Sequence, residues 1–358
     1  MLKVKSARDL GLQFIDNPHR MVGQDGAYSL PLDGETLWFF GDTLVGSRVP
    51  GESLWFPGGK PLGPEDMSGH GSIEKLYNNT GLILRESTGR NGLRNYHYIC
   101  DVMGNLKQLV PRERDEHPDE IRVWCLHGCA QGQKIFLYYL TVRMLREGPM
   151  PVNFEIVGAG LAVGDNIRWN FRRISHGNSS LWWKADLPLF GSAVLHIQDQ
   201  KRIYIYGVRK DENGVQRCYL ARVAEHEIDQ CEKYEYLVSP EPGWGKDPRQ
   251  ALCIMCLMPN EMSVSWNPYL GSYLAVHSLD LTGRIVGRTA PHPWGPWSEA
   301  DVLWTVIPPR LDYQIPYDHL IYAGKEHPEL AEENGRILYL TYVEFEEYFP
   351  HLVEVTLD

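Results

Sequence analysis

Asp25, in GQDGAY, and Asp42, in FFGDT, are carboxylates at the ends of short strand-like runs, and Glu261, in PNEMSVSWNP, stands just before another. Carboxylates gathered in a partly dry pocket suit glycoside cleavage. One carboxyl protonates the leaving oxygen, and a second activates water or attacks the anomeric carbon. Crowded like charges push their pKa values apart, so one can stay protonated near neutrality. The candidate catalytic residues are therefore Asp25 and Asp42, as acid and base or nucleophile in either order. Glu261 joins them as a third carboxylate that tunes a pKa or holds a hydroxyl, with Asp280 a weaker fourth. Arg209 is the candidate for orienting a substrate hydroxyl or anchoring a carboxylate, and Trp266 for stacking on a sugar face. His127, His327 and Asn78 complete the expected substrate contacts.

Each residue also has a plainer reading. Asp25 and Asp42 suit turn positions where a side chain bonds its own backbone. Arg209 suits a salt bridge, and His127, His196 and Trp266 suit a satisfied core. Trp294 and Trp297, in HPWGPWSEA, read as packing between sheets.

The elements that would position these groups repeat. Five segments share a turn followed by an aromatic and aliphatic strand: DGETLWFFGDT, QGQKIFLYYLT, DQKRIYIYGVR, LGSYLAVHSLD and NGRILYLTYVE. Referred to Gly34, Gly132, Gln200, Gly271 and Gly335, their spacings are 98, 68, 71 and 64 residues. Insertions at roughly 48–75 and 87–120 account for the long first interval. Strand-like runs at 26–32, 123–128, 192–198, 262–266 and 320–323 precede these segments, so each repeat opens as a β-hairpin. Further strands follow in most units, which predicts an all-β, five-bladed β-propeller with four-stranded blades, one domain over 1–358. The last unit is a strand short, and an N-terminal strand at 2–5 or 12–15 is expected to close the ring. A two-domain sandwich is the alternative.

Hairpin geometry then brings the acids together, because residues equally far from a turn lie opposite one another. Asp25 is nine residues before Gly34 and Asp42 eight after it. The same reasoning pairs Glu261 with Asp280 and Gly191 with Arg209, and puts Glu344 at the matching place in the fifth repeat. All of these ends are expected on one rim of the axial pocket.

The bulk composition narrows the classes. Hydrophobic residues make up 43% and charged residues 23% of the 358, enough for a large core and too apolar for disorder. A net charge of −11 disfavours nucleic acid, and no run reaches the roughly 18 apolar residues of a membrane span. The partner expected is a carbohydrate; the oligomeric state has no signature. The opening MLKVKSARDLGLQF lacks the apolar stretch of a secretory signal, which predicts a cytoplasmic protein, or an exported one if a leader has been removed. Seven cysteines suit free thiols, and Cys253-x-x-Cys256 has no matching zinc-finger pair. No cofactor is expected: an axial calcium is compatible with the fold but has no ligand motif.

The segments DGAYSLPLDGETLWFFGDTLV, YNNTGLIL, FGSAVLH, NEMSVSWNPYLGSYLAVHS, GPWS and HPEL resemble a bacterial propeller family long catalogued as a domain of unknown function. Members of that family are associated with endo-D-arabinanase activity. The resemblance runs from about Gly23 to Tyr342. It implies an acidic pair on the first blade, at Asp25 and Asp42, and hydrolysis of furanosidic linkages in a polysaccharide. Two other functions fit the same fold. A phosphorylase needs two or three cations beside the pocket, and the hairpins supply Arg209 alone. A non-catalytic carbohydrate-binding propeller needs no carboxylate pair.

Overall fold

The structure, a computed structural model, describes residues 1–60, 73–146, 153–279, 281, 283–315 and 317–358. Among these there is no α-helix; strands are joined by loops and by single turns of 3-10 helix such as Gln198–Gln200 and Pro328–Leu330.

Each repeated segment is the second arm of an antiparallel hairpin. The pairs are Tyr28–Pro31 with Thr36–Phe40, Ile121–Gln131 with Lys134–Met144, and Leu189–Ile197 with Arg202–Lys210. Met262–Asn267 pairs with Ser272–Leu279, and Ile321–Glu326 with Ile337–Glu344. Each hairpin opens a sheet, and the first four grow outward in chain order. The first adds Thr80–Leu84 and Tyr96–Tyr98; the second adds Phe154–Asp165, edged by Arg172–Arg173 and Trp183–Lys184. The third adds Gln216–Ala224, Glu235–Ser239 and Gly243–Gly245, and the fourth adds Arg284–Ala290 and Asp301–Thr305. The fifth adds Pro350–Leu357 and then Val4–Leu12. A smaller sheet of Met21–Gln24, Thr43–Gly46 and Ile73–Tyr77 prolongs the first hairpin.

The second arms read as nearly continuous apolar runs because both of their faces are covered. Thr36–Phe40 is buried throughout, and Trp38, Tyr139, Tyr206 and Tyr339 are wholly enclosed. Trp294 and Trp297 pack against the cluster around Tyr204 and Tyr206. The first arms touch in succession, from Tyr28–Pro31 through Ile121–Gln131, Leu189–Ile197 and Met262–Asn267 to Ile321–Glu326. The turn Pro328–Leu330 then returns to Tyr28–Pro31. The Tyr28 hydroxyl reaches across this cycle and donates to the Ser192 carbonyl at 2.9 Å.

The N-terminal strand differs from the expected 2–5 or 12–15. It is Val4–Leu12, paired with Pro350–Leu357. Its partly exposed, charge-rich sequence VKSARDLGL is that of a sheet edge, which hides it from an apolar-run criterion. The two insertions also contribute strands, at Ile73–Tyr77 and Tyr96–Tyr98. Leu54, Trp55 and Phe56, in the first insertion, are buried in a cluster with Phe345 and Tyr348.

Candidate active site

The first hairpin keeps one register through a break in its strands. Gln24 lies opposite Thr43 and Tyr28 opposite Phe39, so Asp25 falls opposite Asp42, and the Asp25 N–H points to the Asp42 carbonyl at 3.4 Å. Between them Gly26 and Ala27 take positive φ (88° and 59°), which turns the Asp25 carbonyl onto the Gly41 N–H at 2.9 Å. On the other side Phe40 lies opposite Thr80 and Thr43 opposite Tyr77, so Asp42 also faces Asn78. Gly41 is needed for closeness: a Cβ there would lie 2.5 Å from Asp25 Oδ1.

Two phenols hold Asp25. Tyr322 and Tyr348 donate to Oδ2 at 2.8 and 3.1 Å. Tyr348 has positive φ (57°), and the Trp55 ring packs edge-on against it at 4.7 Å. Tyr322 and Lys325 would face opposite ways on a regular strand. A bulge intervenes: Tyr322 pairs with Val343 but Lys325 with Thr341, and Ala323 takes φ 59°. The extra residue turns both side chains to the same side. The neighbouring Gly324 has no room for a Cβ, which would lie 2.7 Å from Ser278 Oγ.

Glu261 comes in from the fourth sheet. Its Oε1 accepts from Lys325 Nζ at 3.1 Å, and the same ammonium donates to the carbonyls of Gly26 and Ala323. Lys325 also sits 4.5 Å over the Tyr28 ring. Lys325 is 1% exposed and the Glu261 side chain 21%, so the lysine lies beneath and the carboxylate toward solvent.

The three acids differ in charge state for physical reasons. Burial, followed by the charges of Asp42 and Glu261, pushes Asp25 up to about 8, against the opposing pull of its two phenol donors. Burial pushes Asp42 up to about 6; Arg122, the nearby Trp124 indole and Arg112 oppose it. Asp42 Oδ1, Asn78 Nδ2 and Trp124 Nε1 are buried polar atoms that close no hydrogen bond within the protein. Burial holds Lys325 below its ordinary value, against the opposing pull of Glu261 and Asp25. At neutral pH the site therefore holds a protonated Asp25, with Glu261 Oε1 bonded to Lys325.

The other expected residues are placed as follows. Asn78 borders Asp42, and its Oδ1 accepts from the Val123 N–H at 2.9 Å. His127 accepts from the Val194 N–H at 2.8 Å and turns Nε2 to the Ser29 carbonyl at 3.2 Å; burial lowers it to about 4. His327 is fully buried, stacked on Trp38 at 4.0 Å and bonded to Ser29 and Thr341, so it serves the core and not a substrate. His196 pairs with Glu225 at 3.0 Å.

Arg209 and Trp266 are not brought to the pair. A bulge at Gly191 and Ser192 shifts the third hairpin, and Arg209 instead lies over the Tyr219 ring and reaches the Asp186 carbonyl. Trp266 pairs with Tyr273 beside the hairpin turn, at the far end of its strand from Glu261, and is half exposed. In the fourth hairpin Met262 lies opposite His277, which sets Ser278 against Glu261; Asp280 lies outside the described residues. Glu344 is buried and held by His319 and the N–H groups of Glu346 and Glu347. Sequence reasoning missed Lys325, Tyr322, Tyr348, Arg122 and Arg112. Among the described residues no cluster of three or more His, Cys, Asp or Glu is arranged to hold a metal ion, and no helix could cross a membrane.

The model of the family described as Domain of unknown function (DUF4185) matches residues 16–354. The chain belongs to this family. Solved structures share the fold of this DUF4185 chain at low identity. A candidate hydrolase from Bacteroides ovatus is 15% identical with a TM-score of 0.62, covering 97% of this chain and 87% of its own. A family 117 glycoside hydrolase from Zobellia galactanivorans is 9% identical with a TM-score of 0.53, covering 99% and 90%. A GH43_1 enzyme from Xanthomonas citri complexed with xylose is 15% identical with a TM-score of 0.50, also covering 99% and 90%. The fold is thus shared with a family 117 glycoside hydrolase and a GH43_1 enzyme. A search of curated proteins finds none that matches the chain.

Proposed function

We propose that this DUF4185 chain is a glycoside hydrolase built as a single five-bladed propeller over 1–358, closed by the strand Val4–Leu12, and that it cleaves furanosidic, arabinan-like linkages. The observation that carries the activity is the split among three converging carboxylates. Asp25 is held protonated, Glu261 is paired with a lysine, and Asp42 lies between Asp25 and Asn78. Asp25 protonates the glycosidic oxygen as its bond to the anomeric carbon breaks. Glu261 acts on the opposite side, as base toward water or as nucleophile. Asp42 keeps the proton on Asp25 by its own charge. The furanosidic, arabinan-like part rests on the sequence segments shared with the family.

A phosphorylase is the second reading, favoured by Arg122 and Arg112, two guanidinium groups that act on Asp42. The test is a product assay on arabinans, xylans, galactans and aryl furanosides, with and without inorganic phosphate. Free reducing sugar from an arabinan, independent of phosphate, supports the hydrolase. Sugar 1-phosphate as the product supports the phosphorylase. Binding with no product overturns both.

A further inference from the structure

Lys325 is a buried ammonium beneath the pocket. A buried ammonium costs several kcal/mol unless it is paired and bonded, and an apolar residue would fill the same space. Lys325 instead has three acceptors: Glu261 Oε1 at 3.1 Å, the Ala323 carbonyl at 2.8 Å and the Gly26 carbonyl. Two of these tie it to the site. Gly26 adjoins Asp25 on the first hairpin, and Glu261 enters from the fourth sheet, so one ammonium joins the two carboxylate-bearing segments. The Ala323 bulge places Lys325 on the same side as Tyr322, which binds Asp25.

We propose that Lys325 is a positioning residue: its ammonium holds Glu261 as a carboxylate with fixed Oε1, and so assigns Glu261 the base or nucleophile role and Asp25 the acid role. This rests on the glycosidase reading of the site. The groups facing Lys325 are Glu261 from the fourth sheet, Asp25 and the Tyr28 ring from the first, and His127 and His327, which its charge lowers further. Both histidines are held below their ordinary value by burial, so neither can replace the lysine as a cation at neutral pH. Without the ammonium, Glu261 would share the pocket with Asp25 and Asp42 and lose the donor that fixes its Oε1.

The experiment compares the pH profiles of kcat/KM for wild type, Lys325→Met, Lys325→Arg and Glu261→Gln, with folding followed by thermal melting. Lys325→Met should move the acid limb upward by about one pH unit or more, a tenfold loss on that limb for each unit. Lys325→Arg, which keeps the charge, should leave the limb nearer wild type. A merely structural lysine would lower activity evenly across pH, and that result overturns the proposal. If Glu261→Gln retains full turnover, the reading of the site fails. If Glu261→Gln is inactive while Lys325→Met keeps the wild-type limb, only the lysine proposal fails. Should Lys325→Met not fold, carbon-13 NMR of carboxyl-labelled glutamate in wild type decides, with the Glu261 signal identified by its loss in Glu261→Gln. A carboxylate shift held down to the acid edge of activity is expected, and a carboxylic acid within the active range overturns the proposal.

Discussion

Replacing Asp25 with Asn removes one dissociable proton and little else, and the consequences separate by substrate and by pH. A positioned general acid contributes roughly 10²–10⁴-fold when the leaving group is a sugar hydroxyl. A nitrophenolate leaves without that proton. Asp25→Asn should therefore lose about 10²–10⁴-fold in kcat/KM on an arabino-oligosaccharide and far less on a 4-nitrophenyl furanoside. The same carboxyl also weighs on stability. Its folded value is raised from 3.8 to about 8, so below the unfolded value both states hold the proton and there is no penalty. As pH rises toward 8 the unfolded chain releases the proton first, and stability is lost. One unit is worth about 1.4 kcal/mol, but the side chain still touches solvent. A discounted cost of about 2–3 kcal/mol at alkaline pH is expected. Asn cannot ionise, so urea midpoints of the two proteins should converge at about pH 4 and separate in favour of the variant by about pH 9. Equal losses on both substrates, or midpoints that run parallel with pH, would show that Asp25 is not the protonated acid.

Other perturbations read single contacts. Tyr322→Phe removes a hydroxyl that favours ionised Asp25, so the alkaline limb of kcat/KM should move up by about half to one pH unit. Gly41→Ala puts a methyl group 2.5 Å from Asp25 Oδ1 and should cut turnover steeply, with a stability loss of about 1–3 kcal/mol by denaturation. Arg209→Ala and Trp266→Ala remove side chains engaged elsewhere and should change kcat/KM by less than about threefold in steady-state assays.

Much of this architecture is legible in the sequence where hairpins run without interruption. Gly34 marks a two-arm turn whose register continues from Pro31 and Thr36 to Gln24 and Thr43, and simple counting therefore makes Asp25 face Asp42. Counting fails where backbone irregularity intervenes. The bulge at Gly191 and Ser192 displaces Arg209, and a turn centred one residue earlier in the fourth hairpin sets Ser278 against Glu261. The most informative cation, Lys325, is hidden for the same reason. In IYAGKEH it reads as the alternate face of a strand, and only the positive φ at Ala323 turns it toward Glu261. Tyr348 likewise reaches Asp25 from a loop residue in a left-handed conformation that no local pattern announces. His327 shows the converse: it adjoins the rim in sequence, yet stacking on Trp38 and two hydroxyl bonds commit it to the core.

The central claim is that these carboxylates break glycosidic bonds. Its most direct test is reducing-end release from arabinan by wild type, Asp25→Asn and Glu261→Gln, compared in one preparation at one pH. Wild type should release reducing ends, and both variants should lose at least about a hundredfold. Release by the variants at the wild-type rate would contradict the claim.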